Sequence, residues 1–338
     1  MRSAPTFHVI SGPAVKRVID ANKQKVFDAV EEAYRLHGAG DTINPDSYFL
    51  RYPKDPSSRI IALPAHVGGS VQKSGIKWIS SFPANTASNL ARASAVLTLN
   101  DAATGYPLAC MEASLISSTR TAASAALAAE HLTSGPLKGT LGVIGTGVIA
   151  RATVEWLLFR KWEFTAVNLF DRNPGEAEQF ATWLREEHGL EVTIKGTIED
   201  TISQSSLVLF TTTTLEPHVS DESLFAHNPT VLHLSLRDLS VNVILAAQNI
   251  VDDIEHCVKA GTSPHLAETA TGNRDFIAGT LFDLLEKRIA PDMNRPRIFS
   301  PFGLGVLDIG VGDFVYEAAR SAGDSIALSD FFSNSTRW

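Results

Sequence analysis

Residues 141–150 read Leu141-Gly142-Val143-Ile144-Gly145-Thr146-Gly147-Val148-Ile149-Ala150. A run typical of a buried strand enters a Gly-x-Gly-x-x-Ala turn and leaves it as a helix. Gly145 permits the tight turn, Gly147 lets the backbone approach a pyrophosphate, and Ala150 is small enough for the helix to pack on the strand. Thr146, Val148 and Ile149 contribute to the start of that helix, where free N–H groups and the positive dipole end favour phosphate. The next strand ends at Asp171, 21 positions after Ala150. A carboxylate there accepts bonds from ribose hydroxyls and repels a 2′-phosphate, so NAD is expected over NADP. Arg172 beside it admits three readings: stacking on adenine, contact with a 2′-phosphate, or a solvated surface charge.

Working outward, strand and helix patterns alternate on both sides of this loop. Candidate strands are Thr140–Ile144, Thr165–Phe170, Glu191–Ile194, Leu207–Thr211, Val231–Ser235 and Ile250–Val251, with helices such as Val148–Arg160 and Glu176–His188 between them. Such alternation predicts an α/β domain, a Rossmann doubly wound parallel sheet covered by helices. The alanine-rich stretch Ser114–His131 reads as a helix leading into it. The first 110 residues differ. A helix over residues 23–37 is followed by β-rich runs at Ser58–Leu63, Gly75–Ser80, Ser94–Leu99 and Tyr106–Met111, separated by turn residues. Strands in series predict an antiparallel or mixed sheet. Asp308–Ala322 reads as a last helix that returns to this first domain. The expected division is therefore 1–115 with 304–338 as an α+β domain, and 116–303 as the nucleotide domain.

Composition bounds the function. The chain has 338 residues, which sets a prior of about two domains. Its net charge of −8 argues against general binding to nucleic acid or acidic membranes. Two cysteines, Cys110 and Cys257, make no disulfide framework. Mean hydropathy is +0.03, no apolar run approaches a membrane span, and the start lacks the apolar core of a signal peptide. A cytoplasmic enzyme is the expectation. The scattered histidines lack metal-ligand spacing, and no metal is expected.

A second set of residues points to a family. Ser74-Gly75-Ile76-Lys77-Trp78, Phe82-Pro83-Ala84-Asn85-Thr86, Asn100-Asp101, Thr104-Gly105-Tyr106-Pro107, Met111-Glu112-Ala113 and Arg120-Thr121-Ala122-Ala123 occur in that order. This order resembles the ornithine cyclodeaminase/μ-crystallin family over nearly the whole chain. The resemblance implies a substrate and dimerisation domain joined to a Rossmann domain, and a homodimer. Arg59 to Gly69, Ser74–Trp78 and Met111 to Ser118 look most like the branch that oxidatively cleaves N-(2-amino-2-carboxyethyl)-L-glutamate. That branch yields 2,3-diaminopropionate for siderophores and peptide antibiotics, 2-oxoglutarate and NADH. The alternatives within the family are ornithine or lysine cyclodeaminase, alanine dehydrogenase and ketimine reductase. From a different class comes a non-enzymatic crystallin-like dimer that holds NAD(P)H; the presence of Lys77 and Asp238 speaks against it.

In this family a lysine and two arginines hold an amino-acid substrate, and an aspartate beyond a late Rossmann strand handles protons. The resemblance carries these roles to Lys77, Arg120, Arg51 and Asp238. The chemistry suits the residue types. A guanidinium clamps a carboxylate with two parallel bonds, an ammonium binds a carboxylate and polarises an imine, and a carboxylate takes a proton from amine or water. Asp238 has a plainer reading as a helix cap. Arg59 and Arg92 are candidate extra carboxylate binders or surface charges. His66 either lines the substrate site or is a hydrogen-bonded structural histidine. Phe302-Gly303-Leu304-Gly305 matches the family's late glycine turn, with Gly303 placed to pass near the nicotinamide. Asp308 either binds substrate or caps the last helix, and Glu112 is expected to be structural. Cyclodeaminases carry an acid three places before the proline matched by Pro64, where it helps hold a side-chain amine. Here that position is Ile61, which would leave an ornithine δ-ammonium without a partner and favours a substrate richer in carboxylates.

Overall fold

The computed structural model describes residues 5–136 and 138–333; the outermost residues of the expected first domain lie outside this range. Internal contacts divide the chain into two units. One comprises residues up to Arg120 together with those from Leu304 onward, and the other is Thr121–Gly303. The helix Ser114–Thr133 is shared by both.

The Thr121–Gly303 unit is built on an eight-stranded sheet in which every neighbouring pair is parallel. Across the sheet the strands run Val192–Ile194, Glu163–Phe170, Lys138–Ile144, Leu207–Phe210, Thr230–His233, Arg297–Ser300, Gln248–Val251 and Ile277–Thr280. Strand order reverses direction at Lys138–Ile144, so the carboxyl end of that strand is the topological switch point where open α/β sheets bind ligands. Strand interiors such as Leu207–Phe210 and Thr230–His233 are buried along their whole length, as expected of strands covered on both faces. The expected doubly wound architecture is present. Two strands were not expected, Ile277–Thr280 and Arg297–Ser300, and the second inserts between two that were.

The other unit carries a mixed eight-stranded sheet. Its path is Ile326–Leu328, Phe7–Ile10, Pro107–Glu112, Ala93–Asp101, Lys73–Ser81, Asp55–Val67 and Thr42–Ile43, with Tyr48–Tyr52 also pairing with Asp55–Val67. All pairs are antiparallel except Phe7–Ile10 with Pro107–Glu112. Directly paired residues share a face, so Leu63, Lys77, Leu97 and Met111 form one cross-strand row. The helices Lys23–Gly38 and Gly305–Ala322 pack on one another, and the second also packs on four strands of the sheet, Phe7–Ile10, Asp55–Val67, Lys73–Ser81 and Ala93–Asp101. The last helix thus belongs to the first unit.

Glycines set the depth of that helix. A methyl group on Gly312 would collide with Leu97, and one on Gly305 would sit 3.2 Å from Ala65 Cβ. Gly305, Asp308 and Gly312 recur at helical spacing and share a face. The close approach at both glycines therefore presses Asp308 onto the sheet. Among the described residues, no helix is long and apolar enough to cross a membrane.

Candidate active site

In the Thr121–Gly303 unit, Gly145 has φ of 85°, and a Cβ there would lie 3.0 Å from the Thr211 backbone. Both facts require glycine. Gly147 differs: a Cβ there would meet no protein atom within 4 Å. The space beside it is open, as the expected approach of a pyrophosphate would need. The helix Val148–Phe159 starts at Gly147 with no side-chain cap, and Val148 is 76% exposed. Helix N-termini normally satisfy their free N–H groups with a side chain or a ligand. Ala150 is fully buried.

Asp171 Oδ2 accepts from the Thr146 backbone N–H at 2.8 Å and from Thr146 Oγ1 at 2.9 Å. The carboxylate and the glycine turn are thus one structural element; Oδ1 accepts from Asn173 N–H at 2.8 Å and keeps one lone pair, whereas Oδ2 has both of its own engaged. Arg172 is exposed. Gly303 has φ of 94°, and its N–H bonds Asp252 Oδ2 at 2.6 Å. Asp252 also accepts from Phe302 N–H at 2.9 Å. Burial raises its pKa despite these bonds.

Asp238 is fully buried. Its carboxylate accepts from Thr212 Oγ1 at 2.5 Å and from Ser235 Oγ, and His233 Nε2 lies 3.2 Å away. His218 Nε2 is 3.8 Å from the same group. Burial acts to raise the Asp238 pKa, but the His233, Ser235 and Thr212 contacts outweigh it and hold the group below the ordinary carboxylate range. The turn that folds Asp238 back onto His233 passes through Leu236 at φ of 69°, a strained setting for leucine. Asp238 does not cap the next helix: Val241–Ala246 begins at Ser240, without a side-chain cap.

In the first unit, Lys77 lies in the middle of its cross-strand row and is 1% exposed. Its ammonium is 2.6 Å from Asp308 Oδ2 and donates to Ser117 Oγ at 3.0 Å. Arg120 Nε donates to Asp308 Oδ1 at 3.2 Å. Asp308 itself is fully buried. The sequence left Asp308 between substrate binding and helix capping; here it ties the two expected substrate cations together. Burial, with Arg120 nearby, brings the Lys77 pKa down to about 8 against the opposing pull of Asp308. Glu112 caps the helix Ser114–Thr133, accepting from Ser114 N–H at 2.7 Å and Leu115 N–H at 3.2 Å.

The remaining candidates separate. Arg51 is directly opposite Arg59, which pairs with Ser81, and Arg92 Nε donates to Ser81 Oγ at 3.3 Å. All three arginines thus gather at one end of the sheet. His66 pairs with Ser74, three residues from Lys77, and so lies on the opposite face. It bonds Ser74 Oγ at 3.0 Å and is not brought together with Lys77. Sequence reasoning missed Thr212, His218 and Asp252. His233 and Ser235 fall in the strand expected over Val231–Ser235, and Ser117 in the stretch Met111 to Ser118, but none of them was given a role.

The model of the ornithine cyclodeaminase/mu-crystallin family matches residues 14–323. The chain is 30% identical over 310 residues to the N-((2S)-2-amino-2-carboxyethyl)-L-glutamate dehydrogenase of Staphylococcus aureus, covering 88% of this chain and 91% of that one. Among solved structures, an archaeal alanine dehydrogenase dimer with bound NAD superposes with a TM-score of 0.85 at 24% identity, over 97% of this chain and 100% of that one. The Δ1-pyrroline-2-carboxylate reductase of Thermococcus litoralis, in complex with NADH and L-proline, also has a TM-score of 0.85, at 22% identity over 94% and 99%.

Proposed function

The chain belongs to the ornithine cyclodeaminase/mu-crystallin family, and we propose that it is an NAD-dependent oxidoreductase that cleaves N-(2-amino-2-carboxyethyl)-L-glutamate to 2,3-diaminopropionate and 2-oxoglutarate. The observation that carries this reading is the buried trio of Lys77, Arg120 and Asp308. An ammonium and a guanidinium stand side by side there, the two groups best suited to binding the α-carboxylate of an amino acid.

Gly145, Thr146, Gly147, Val148 and Ile149 would cradle the pyrophosphate of NAD, with Asp171 on a ribose and Gly303 beside the nicotinamide. When bound, NAD⁺ supplies a two-electron acceptor for the substrate's α-hydrogen as hydride. The chain's own groups do the rest. Arg120 orients the α-carboxylate. Lys77 stabilises the electron density that water addition places on the imine nitrogen. Asp238, kept ionised by its hydrogen bonds, accepts a proton from the amine or from water. The balance is substrate, NAD⁺ and water giving 2,3-diaminopropionate, 2-oxoglutarate, NADH and a proton.

The relative from Staphylococcus aureus supports the choice of substrate, as does Ile61 in place of an acid. We propose further that the protein works in the cytoplasm as a homodimer. Its cysteines are free, and the sheet face opposite Lys77 exposes Trp78 and Val96, apolar groups that a second copy would cover. Sedimentation velocity tests the dimer. A panel of amino acids assayed for NADH, with products identified by mass, tests the reaction. Turnover of ornithine to proline without NADH, or no turnover of any amino acid, would overturn it.

A further inference from the structure

Lys73, Gly75 and Lys77 lie on one face of the strand Lys73–Ser81, and the helix Gly305–Ala322 meets each of them. Lys77 Nζ is 2.6 Å from Asp308 Oδ2, and Lys73 Nζ is 3.2 Å from Asp313 Oδ1. Between the two ion pairs, Ile309 occupies the space over Gly75, where a Cβ would lie 2.8 Å from Ile309 Cδ1. The three contacts follow in matching order, with the helix running against the strand. The Lys73–Asp313 pair stands outside the group of Lys77, Arg120 and Asp308, yet its side chains are only 16% and 17% exposed. An ion pair so far from solvent is costly to desolvate and holds only in close geometry.

A single contact would leave the helix free to pivot or slide, and slip matters here because a buried attraction weakens as distance grows and water enters. Lys77 is faced by Asp308 from this helix, by Arg120 and Ser117 from the helix Ser114–Thr133, and by uncharged Leu63 and Leu97 on the adjacent strands. Of these, Asp308 holds the charge on Lys77 against burial and Arg120. Lys73 is faced by Asp313, by Asp101 directly opposite and by the Val71 carbonyl, and Glu317 acts on Asp313. Resting on the reading of Lys77 as a carboxylate binder, we infer that Lys73 and Asp313 are positioning residues: their ion pair, with Ile309 seated over Gly75, locks the helix in the register that keeps Asp308 on Lys77. They act on substrate capture through Lys77.

NMR of the lysine ε-methylenes across a pH titration of the full chain tests this, with the Lys77 signal assigned by its loss in Lys77→Arg. The wild-type midpoint is expected at about 8. Lys73→Met and Asp313→Asn should both lower it, by about one pH unit for a tenfold loss of proton affinity. A direct charge effect has a different signature: removing the cation at 73 would raise the midpoint, and removing the anion at 313 would lower it. Lys73→Arg keeps the pair and should leave the midpoint where the wild type has it. The midpoint is read on folded protein, so a loss of stability alone does not move it. Where Lys73→Met does not fold, Lys73→Gln carries the same test. An unchanged or raised midpoint in the folded Lys73 variant would overturn the proposal. Calorimetric binding of 2-oxoglutarate at pH about 8 should weaken about fivefold in the variants with a lowered midpoint, as the charged fraction falls. If the wild type does not bind this acid, the substrate reading fails, and the NMR midpoint still decides whether Lys73 and Asp313 hold the helix.

Discussion

Asp308 Oδ2 lies 2.6 Å from Lys77 Nζ, and neither side chain is more than 1% exposed. The carboxylate comes from a helix and the ammonium from the middle of a sheet, and they meet because Gly305 and Gly312 let the helix sit close. Asp308→Asn would leave Lys77 and Arg120 buried without their shared counter-charge. Removing one partner of a buried pair typically costs about 3–5 kcal/mol. A drop of that order in urea unfolding free energy is expected. An unchanged midpoint would mean that the two cations are already neutralised elsewhere.

The pH dependence follows from Lys77, whose pKa is brought down to about 8 from 10.5. Below about 8 the ammonium is charged in both folded and unfolded chains, and the fold carries the full cost of burying it. Between about 8 and 10.5 the unfolded chain binds more protons, so this group's contribution to stability rises with pH. Substrate capture runs the other way, because a neutral amine no longer attracts a carboxylate. We expect kcat/KM to fall above pH about 8, roughly tenfold per unit. Lys77→Arg should remove that limb while retaining the charge, and a limb that persists in this variant belongs to another group.

Asp238 is held below the usual carboxylate range by His233, Ser235 and Thr212. It is therefore ionised throughout the neutral range, and the acidic limb of kcat/KM should not come from it above pH about 4. Asp238→Asn keeps the shape and removes the base. The expected loss is about 10²–10⁴-fold in kcat, with NADH affinity unchanged in a fluorescence titration. A near-normal rate would move proton transfer to another group.

What could be read from the chain alone was local. The glycine turn, its flanking strand and helix, and Asp171 lie within about thirty residues, and each is a nearest-neighbour pattern. The strand Arg297–Ser300 escaped because it opens with a charged residue; only the fold shows that Arg297 is buried, bonding Thr230 Oγ1 and Asn228 O. The helix Gly12–Ala21 escaped because Gly12-Pro13 resembles a turn, although proline is at home in a first helical turn. Lys77, Arg120 and Asp238 were reached through a family resemblance. Asp308 and Asp252 could be placed only by structure: their partners include Lys77, 231 positions from Asp308, and Gly303, 51 from Asp252. No sequence pattern marks a counter-ion at such separation.

On the proposed reading, cofactor choice turns on Asp171. Its bonds to Thr146 fix the carboxylate at the end of its strand, where a 2′-phosphate would meet its charge. NADH should bind more tightly than NADPH in a fluorescence titration. Asp171→Ser should narrow the difference, and Thr146→Val should weaken both cofactors by loosening the carboxylate. Tighter NADPH binding by the wild type would assign Arg172 to the phosphate instead.

Net formation of NADH is the outcome that separates the proposed reaction from cyclisation. Ile61 lies on the same face as Lys77, directly opposite Ile79 and Phe49. A terminal ammonium carried over this surface meets apolar side chains where a cyclising enzyme needs an acid, and an unpaired ammonium there is strongly disfavoured. In the proposed reaction the attacking nucleophile on the imine is then water. Hydrolysis removes the imine and leaves no acceptor for the hydride, so NADH accumulates one for one with 2-oxoglutarate. Cyclisation would return the hydride and consume no NAD⁺. Continuous absorbance at the NADH band, run beside mass detection of 2-oxoglutarate, gives the ratio directly. Ile61→Glu supplies the missing acid on the same row, and should raise affinity for ornithine about tenfold while lowering that for 2-oxoglutarate, through attraction in one case and like-charge repulsion in the other. Equal effects on both ligands would show that position 61 does not face the substrate.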